Sequence, residues 1–323
     1  MAKRVKRSYL VSALMCIPLL TVLGCASGTA STGNAATGAA VAAGFPLKVS
    51  TSAGDVSIRQ RPKAIVSLSP TATEMLYAIG AGNQVKAVDQ YSDYPHGTPM
   101  TSLDGDNPNV ESIVTYRPDL VVISDTTAGL ATQLAKLHIP VIYDPAAATL
   151  SQAYAQIVGL GEATGHISEA QAEVSKIKAQ ISTIVSSVSN PARPRTYYYE
   201  LDQTYYSVAS STFIGQVLGL LGLKSIADAA PGAATSGGYP QLNAEFIIKQ
   251  NPNYIFLADT LCCGQSSATI AARPGWSVLS AVQHQRILGL NDDIASRWGP
   301  RVVVLLRQVA SEIAQHPVPS GQA

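Results

Sequence analysis

Charge is scarce in this chain. Lys, Arg, Asp and Glu make up only 13% of its 323 residues, and 22 basic against 21 acidic side chains leave a net charge of +1. A nucleic-acid surface needs basic residues gathered on one face, and no basic stripe runs through this sequence. Large rings are also few: 4 Phe and 2 Trp stand beside 14 Tyr. Tyr suits the wall of a ligand cleft as well as the margin of a core, because its ring is apolar and its tip polar. His occurs five times, scattered. There is no Gly-x-Ser-x-Gly, no His-Glu-x-x-His and no phosphate-binding glycine loop. An enzyme would need a nucleophile beside a base, paired carboxylates or a metal set. The chain therefore reads as a non-enzyme with no resident cofactor and no metal site.

A membrane span of about 20 apolar residues is lacking as well. The nearest run, residues 10–23, is shorter and follows Lys3, Arg4, Lys6 and Arg7, the pattern of a secretory signal. It ends at Val22-Leu23-Gly24-Cys25, which resembles the bacterial lipoprotein cleavage box. By that resemblance residues 1–24 are removed and Cys25 carries lipid. Several acyl chains, at about 0.8 kcal/mol per buried CH₂, would anchor the protein to the extracytoplasmic face of the cell membrane. The alternative is a plain signal peptide with an incidental cysteine. Residues 25–44 are almost entirely Ala, Gly, Ser and Thr, which cannot build a core and suit a flexible tether. The folded part should begin near Phe45.

Cysteine is limited to four residues. Cys16 leaves with the signal and Cys25 is lipidated, so Cys262 and Cys263 alone remain in the mature fold. Outside the cytoplasm they could form a disulfide, whose eight-membered ring would be strained and labile. Free thiols are the second reading and a metal site the third, although zinc would want more partners at ligand spacing.

What remains is apolar and regularly arranged. Residues 65–68, 85–88, 120–123, 141–143, 196–201 and 254–257 read as strands, most of them continuously apolar, and helices are expected at 72–79 and 213–221. Thr71 and Glu74 have capping-box spacing for the first helix. Buried strands alternating with helices indicate α/β architecture with parallel sheets covered on both faces.

One internal repeat sets the domain organisation. Asn109-Val-Glu111-Ser-Ile113, followed by Pro118-Asp-Leu120-Val121, matches Asn243-Ala-Glu245-Phe-Ile247, followed by Pro252-Asn-Tyr254-Ile255, at identical spacing. Each copy reads as an Asn-capped short helix, a Pro-marked turn and an apolar strand. Two copies imply two similar Rossmann-like lobes, at 45–165 and 191–323. Between them, residues 166–190 place Ile167, Ala170, Val174, Ile177, Ile181 and Ile184 on one helical face. A single helix of about 1.5 Å rise per residue would join the lobes stiffly.

These segments together resemble a known family, the class III solute-binding proteins of ABC importers. These are the helical-backbone receptors for cobalamin, ferric siderophores or haem. The likeness covers residues 61–315. It is carried by Ile65-Val-Ser-Leu-Ser-Pro-Thr-Ala-Thr-Glu74, Tyr91-Ser-Asp-Tyr-Pro95, Tyr239-Pro-Gln-Leu-Asn-Ala-Glu245 and Ser296-Arg297-Trp298-Gly-Pro-Arg301, besides the repeat itself. The resemblance implies a metal-chelate nutrient of cobalamin or ferric-siderophore type, held between the lobes and delivered to a permease dimer with its ATPase. It implies Glu111 and Glu245 as permease-docking residues; their placement in first helical turns also fits the helix dipole alone. It implies Tyr91, Tyr239, Arg297 and Trp298 as cleft residues, and Tyr205 and Tyr206 are added because they follow the first strand of the second lobe. Aromatic faces suit a flat chelate and Arg suits carboxylate or phosphate. The loops at 103–108 and after Ile123 depart from the cobalamin binders in lacking Trp. His96 reads as a turn residue, His138 as the start of a strand, Trp276 as core and Glu74 as a cap. A surface sensor using the same fold, or a haem receptor, is the alternative.

Overall fold

The computed structural model describes residues 44–52, 54–125, 129–188 and 193–319. The expected signal, the lipidated Cys25 and nearly all of the tether lie outside the described residues. The chain enters with a hairpin, β1 (Leu47–Thr51) and β2 (Gly54–Ile58), paired antiparallel. The first lobe follows: β3 (Ile65–Leu68), α1 (Pro70–Ala78), β4 (Val85–Asp89), β5 (Met100–Leu103), α2 (Val110–Val114), β6 (Leu120–Ile123), α3 (Leu130–Lys136), β7 (Val141–Tyr143) and α4 (Leu150–Thr164). The long α5 (Ile167–Ser187) leads to the second lobe. That lobe contains β8 (Arg195–Glu200), α6 (Phe213–Gly219), β9 (Leu223–Ser225), α7 (Ala244–Gln250), β10 (Tyr254–Leu257), α8 (Thr260–Cys263) and α9 (Ser267–Ala271). It ends with α10 (Ser280–Gln283), β11 (Ile287–Gly289), α11 (Asp292–Ser296) and α12 (Val302–Gln315).

Both sheets are parallel throughout. The first runs β5-β4-β3-β6-β7 and the second β11-β10-β8-β9. Read from the first strand of each lobe, the order is the same, with β5 as an additional edge in the first. Continuous apolar strands are what such sheets require, because alternate residues serve two different cores. Ile65, Leu120, Val122 and Ile142 enter one core, while Val66, Val121, Ile123 and Val141 enter the other. The second sheet divides likewise. Tyr197, Tyr199, Tyr254 and Phe256 share the first core, and Tyr198, Ile255 and Leu257 build a third.

The central core crosses from lobe to lobe along α5. Ala170, Val174, Ile177, Ile181 and Ile184, the stripe read from the sequence, are all buried in it. Helix α5 packs against α4 of the first lobe and α12 of the second. The α4–α5 approach depends on Gly161, where a Cβ would overlap that of Ala170. Among the described residues no helix is long and apolar enough to cross a membrane.

The first helix corrects one expectation. The Thr71–Glu74 capping box does not form: α1 starts at Pro70, and Ser69 caps it by accepting from the Ala72 amide at 3.3 Å. Proline is pre-organised for the first helical position, so the cap falls on the residue before it. Glu74 is thereby moved past the first turn and freed for another partner.

Candidate functional site

Side chains from the two lobes meet around Arg297 and Arg301. Arg297, just after α11, is only 9% exposed. It donates to Glu74 of α1 at 2.8 Å, to Asp293 at 2.6 Å and to the Tyr91 carbonyl at 3.0 Å. Arg301 grips the same Glu74 carboxylate at 2.6 and 2.9 Å, and its guanidinium lies 4.2 Å from the centre of the Tyr94 ring. A buried carboxylate between two guanidiniums is satisfied in charge and in lone pairs. Glu74 is therefore the cross-lobe anchor and not a cap. Two further contacts span the lobes: Trp298 Nε1 donates to Gln156 of α4 at 2.9 Å, and Gln216 of α6 donates to the Ala148 carbonyl at 2.8 Å.

The expected cleft residues fall into two groups. Tyr91, Tyr206 and Tyr239 are 54%, 41% and 44% exposed and lie on loops that leave the carboxyl ends of β4, β8 and β9. Tyr205, Arg297 and Trp298 are engaged by the protein instead. Tyr205, at φ 71°, stacks on the buried Trp276 with ring centres 6.0 Å apart. Arg273 covers both rings, at 5.4 and 4.7 Å, and is itself held by Glu200 through two bonds of 2.6 Å. The Tyr205 loop is then tied to the Tyr239 loop. The Leu242 amide donates to the Tyr205 carbonyl at 3.0 Å, and Tyr206 bridges Gln241. This chain of contacts from Glu200 to Trp276 fixes the backbone from which Tyr206 and Tyr239 project.

Sequence reading missed the acids at the strand ends. Asp89 closes β4, Asp144 follows β7, Glu200 closes β8 and Asp259 follows β10, and all four are buried. Burial pushes Asp89 upward, against the Tyr91 and Ser92 amides that favour its charge. Asp259 rises to about 7, first through burial and then through the neighbouring Glu200 carboxylate. The recognisable signal was an acid at or just after the end of these four strands.

Cys262 and Cys263 are exposed free thiols on α8, not a disulfide. Consecutive helical side chains diverge by about 100°, as 3.6 residues per turn dictates, which does not favour bonding them. The Cys262 thiol is pushed up to about 12, first by its hydrogen bond with Cys263. Asp292 accepts from the Cys262 amide at 2.8 Å. Among the described residues no group of three or more His, Cys, Asp or Glu could hold a metal ion. His96 is exposed in a turn and Trp276 is fully buried.

The repeat is reproduced atom for atom in its caps. Asn109 accepts from the Ser112 amide and Asn243 from the Phe246 amide, each at 2.8 Å. Glu111 and Glu245 follow two residues later, both exposed and both in first turns.

Known proteins share this fold. The model of the periplasmic binding protein family matches residues 65–294. The uncharacterized ABC transporter substrate-binding lipoprotein YvrC of Bacillus subtilis (strain 168) is 29% identical over 280 residues, covering 83% of this chain and 86% of YvrC. The solved periplasmic vitamin B12 binding protein BtuF of Vibrio cholerae superposes with a TM-score of 0.63 at 25% identity, covering 79% of this chain and 97% of BtuF. A possible iron-binding periplasmic solute-binding protein from Staphylococcus epidermidis ATCC 12228 gives 0.66 at 26% identity, covering 79% and 99%. With two parallel α/β lobes joined by one long helix and a family match over most of its length, the chain belongs to the periplasmic binding protein family, in its class III, helical-backbone form.

Proposed function

We propose that this protein is the substrate-binding lipoprotein of an ABC importer, and that it captures a metal-chelate nutrient of cobalamin or ferric-siderophore type between its lobes. One observation carries the reading. Exposed tyrosines, Tyr91 on one lobe and Tyr206 and Tyr239 on the other, project from loops at the carboxyl ends of two parallel sheets, where α/β folds bind ligands. Large rings fixed by a buried framework offer apolar area to a flat chelate at little entropic cost. Arg297 and Trp298 brace the crevice, and Tyr205 supports its second wall. The names of YvrC and BtuF support the importer role and the chelate class. The role needs binding and release without turnover, so the protein acts as a carrier and not as an enzyme. Cys25 carries the lipid that holds it on the extracytoplasmic face of the cell membrane.

Glu111 and Glu245 dock onto the permease dimer. They occupy equivalent positions on the two lobes, as a two-fold partner requires. Exposed ion pairs contribute little affinity each, so the pair sets orientation and encounter rate.

The test is a calorimetric titration with cyanocobalamin, a ferric hydroxamate and haemin. Saturable one-to-one binding of one of the first two, weakened at least tenfold in Tyr206→Ala or Tyr91→Ala with the melting curve unchanged, is the expected result. Binding of haemin alone would replace the cargo class with haem. No binding by any of the three would remove the chelate reading.

A further inference from the structure

A cavity of about 490 Å³ opens in the first lobe between the hairpin strand β1, the loop after β7 and helix α4. Small-molecule sites begin at about 300 Å³. Asp144 lines it, at 8% exposure, and its Oδ2 has no hydrogen-bond partner. Burial alone pushes this carboxyl up to about 7. No Lys, Arg or His is among the lining residues, so above neutral pH a carboxylate stands there without a counter-charge. A buried charge in that position calls for a cation. Asp55 adds negative potential at the rim, where it accepts from the lining Ser50 at 2.9 Å. The remaining wall is largely small and apolar, with Val49, Ala147 and Ala155. Gln156 fixes the far side by donating to the Pro145 carbonyl at 2.7 Å while holding Trp298.

We propose that this cavity is a binding site for a small organic cation, its ammonium group paired with Asp144 and its hydrocarbon part against the alanine-lined wall. A bare metal ion fits the site less well. It would need several donors, yet Asp144 is the one His, Cys, Asp or Glu among the lining residues, and no group of three such residues that could hold a metal ion exists among the described residues. Every lining residue belongs to the hairpin or the first lobe, and Gln156 and Ala148 among them also bond Trp298 and Gln216 of the second lobe, so the site adjoins the joint between the lobes.

The test is a calorimetric titration of the protein at pH 8 with ethylammonium, 1,4-diaminobutane and choline, with sodium and potassium chloride as separate arms at matched ionic strength. Saturable one-to-one binding of at least one organic cation is expected, without comparable binding of either inorganic ion. Asp144→Asn should weaken it at least tenfold. Gly159→Leu gives an independent variant that keeps the charge. A Cβ at Gly159 meets only Val49 Cγ1, at 3.8 Å, so the larger side chain extends into the cavity without backbone strain. Loss of binding in either variant, with the wild-type melting curve retained, supports the site. Absence of ammonium binding, equal binding of potassium, or binding unchanged in both variants overturns it, and none of these outcomes touches the crevice reading.

Discussion

At the scale of single residues, the repeat is a bonding device as well as a sequence pattern. The residue after each repeat proline ties the strand that follows it, β6 or β10, to the first strand of its lobe. Asp119 accepts from the Lys63 and Ala64 amides at 2.8 and 3.0 Å, and Asn253 accepts from the Thr196 amide at 2.8 Å. The backbone amides of both residues return the bond, to Ala64 and Thr196 carbonyls. Loss of either side chain leaves amides without partners, so Asp119→Ala and Asn253→Ala should each cost about 1–3 kcal/mol, read from urea midpoints at unchanged slope. Asp259 has a different signature. Its carboxyl rises from 3.8 unfolded to about 7 folded, so the folded state holds the proton more tightly. Its stabilising contribution is full below about pH 4 and is lost as the pH rises through 7. Above that, its charge faces Glu200 across the single guanidinium of Arg273, with the Tyr198 phenol alongside. Asp259→Asn should flatten the fall in stability between pH 5 and 8 and raise the pH 8 midpoint. Asp144 titrates in the same window and keeps part of the slope.

At the scale of elements, the strands were legible because both of their faces are buried, which leaves unbroken apolar runs. The stripe on α5 was legible because one side alone is buried. The hairpin β1–β2 and helix α4 were not read. The hairpin is rich in Ser, Thr and Gly, and α4 contains Gly159 and Gly161, which local propensity disfavours in a helix. Gly161 is there because α5 passes too close for a side chain. The short α8 to α11 owe their existence to caps and to tertiary contacts such as Asp292 on the Leu261 and Cys262 amides. Tyr91 and Tyr239 were expected at the cleft from the resemblance and Tyr206 from its place after the first strand of the second lobe, and all three are exposed. The role of Glu74 could not, since its two arginines lie 223 and 227 residues away. That anchor joins α1 to the segment leading into α12. Glu74→Gln removes one charge and leaves two buried guanidiniums facing each other, at a cost of about 3–5 kcal/mol. Thermal or urea melts measure it. A change below about 1 kcal/mol would show that the arginines find other partners, Asp93 and Asp293 being nearest.

At the scale of the whole molecule, one continuous core runs along α5 from lobe to lobe, and the Glu74 anchor and the Trp298–Gln156 bond close the other side of the joint. Such a connection predicts small lobe motion. X-ray scattering curves of the free and the chelate-bound protein should nearly superpose, and a marked loss of radius on binding would show a hinge that this architecture does not provide. If the proposed docking holds, a stiff carrier presents Glu111 and Glu245, one in the first turn of a short helix on each lobe, to its transporter together. The most direct measurement of the carrier role is therefore uptake of the chelate that binds, by cells carrying Glu111→Arg with Glu245→Arg. The account expects uptake to fall at least tenfold while the purified variant binds the chelate as tightly as the parent. Uptake at the parental rate with binding intact would contradict it, and would make the protein a surface receptor that senses its ligand without handing it on.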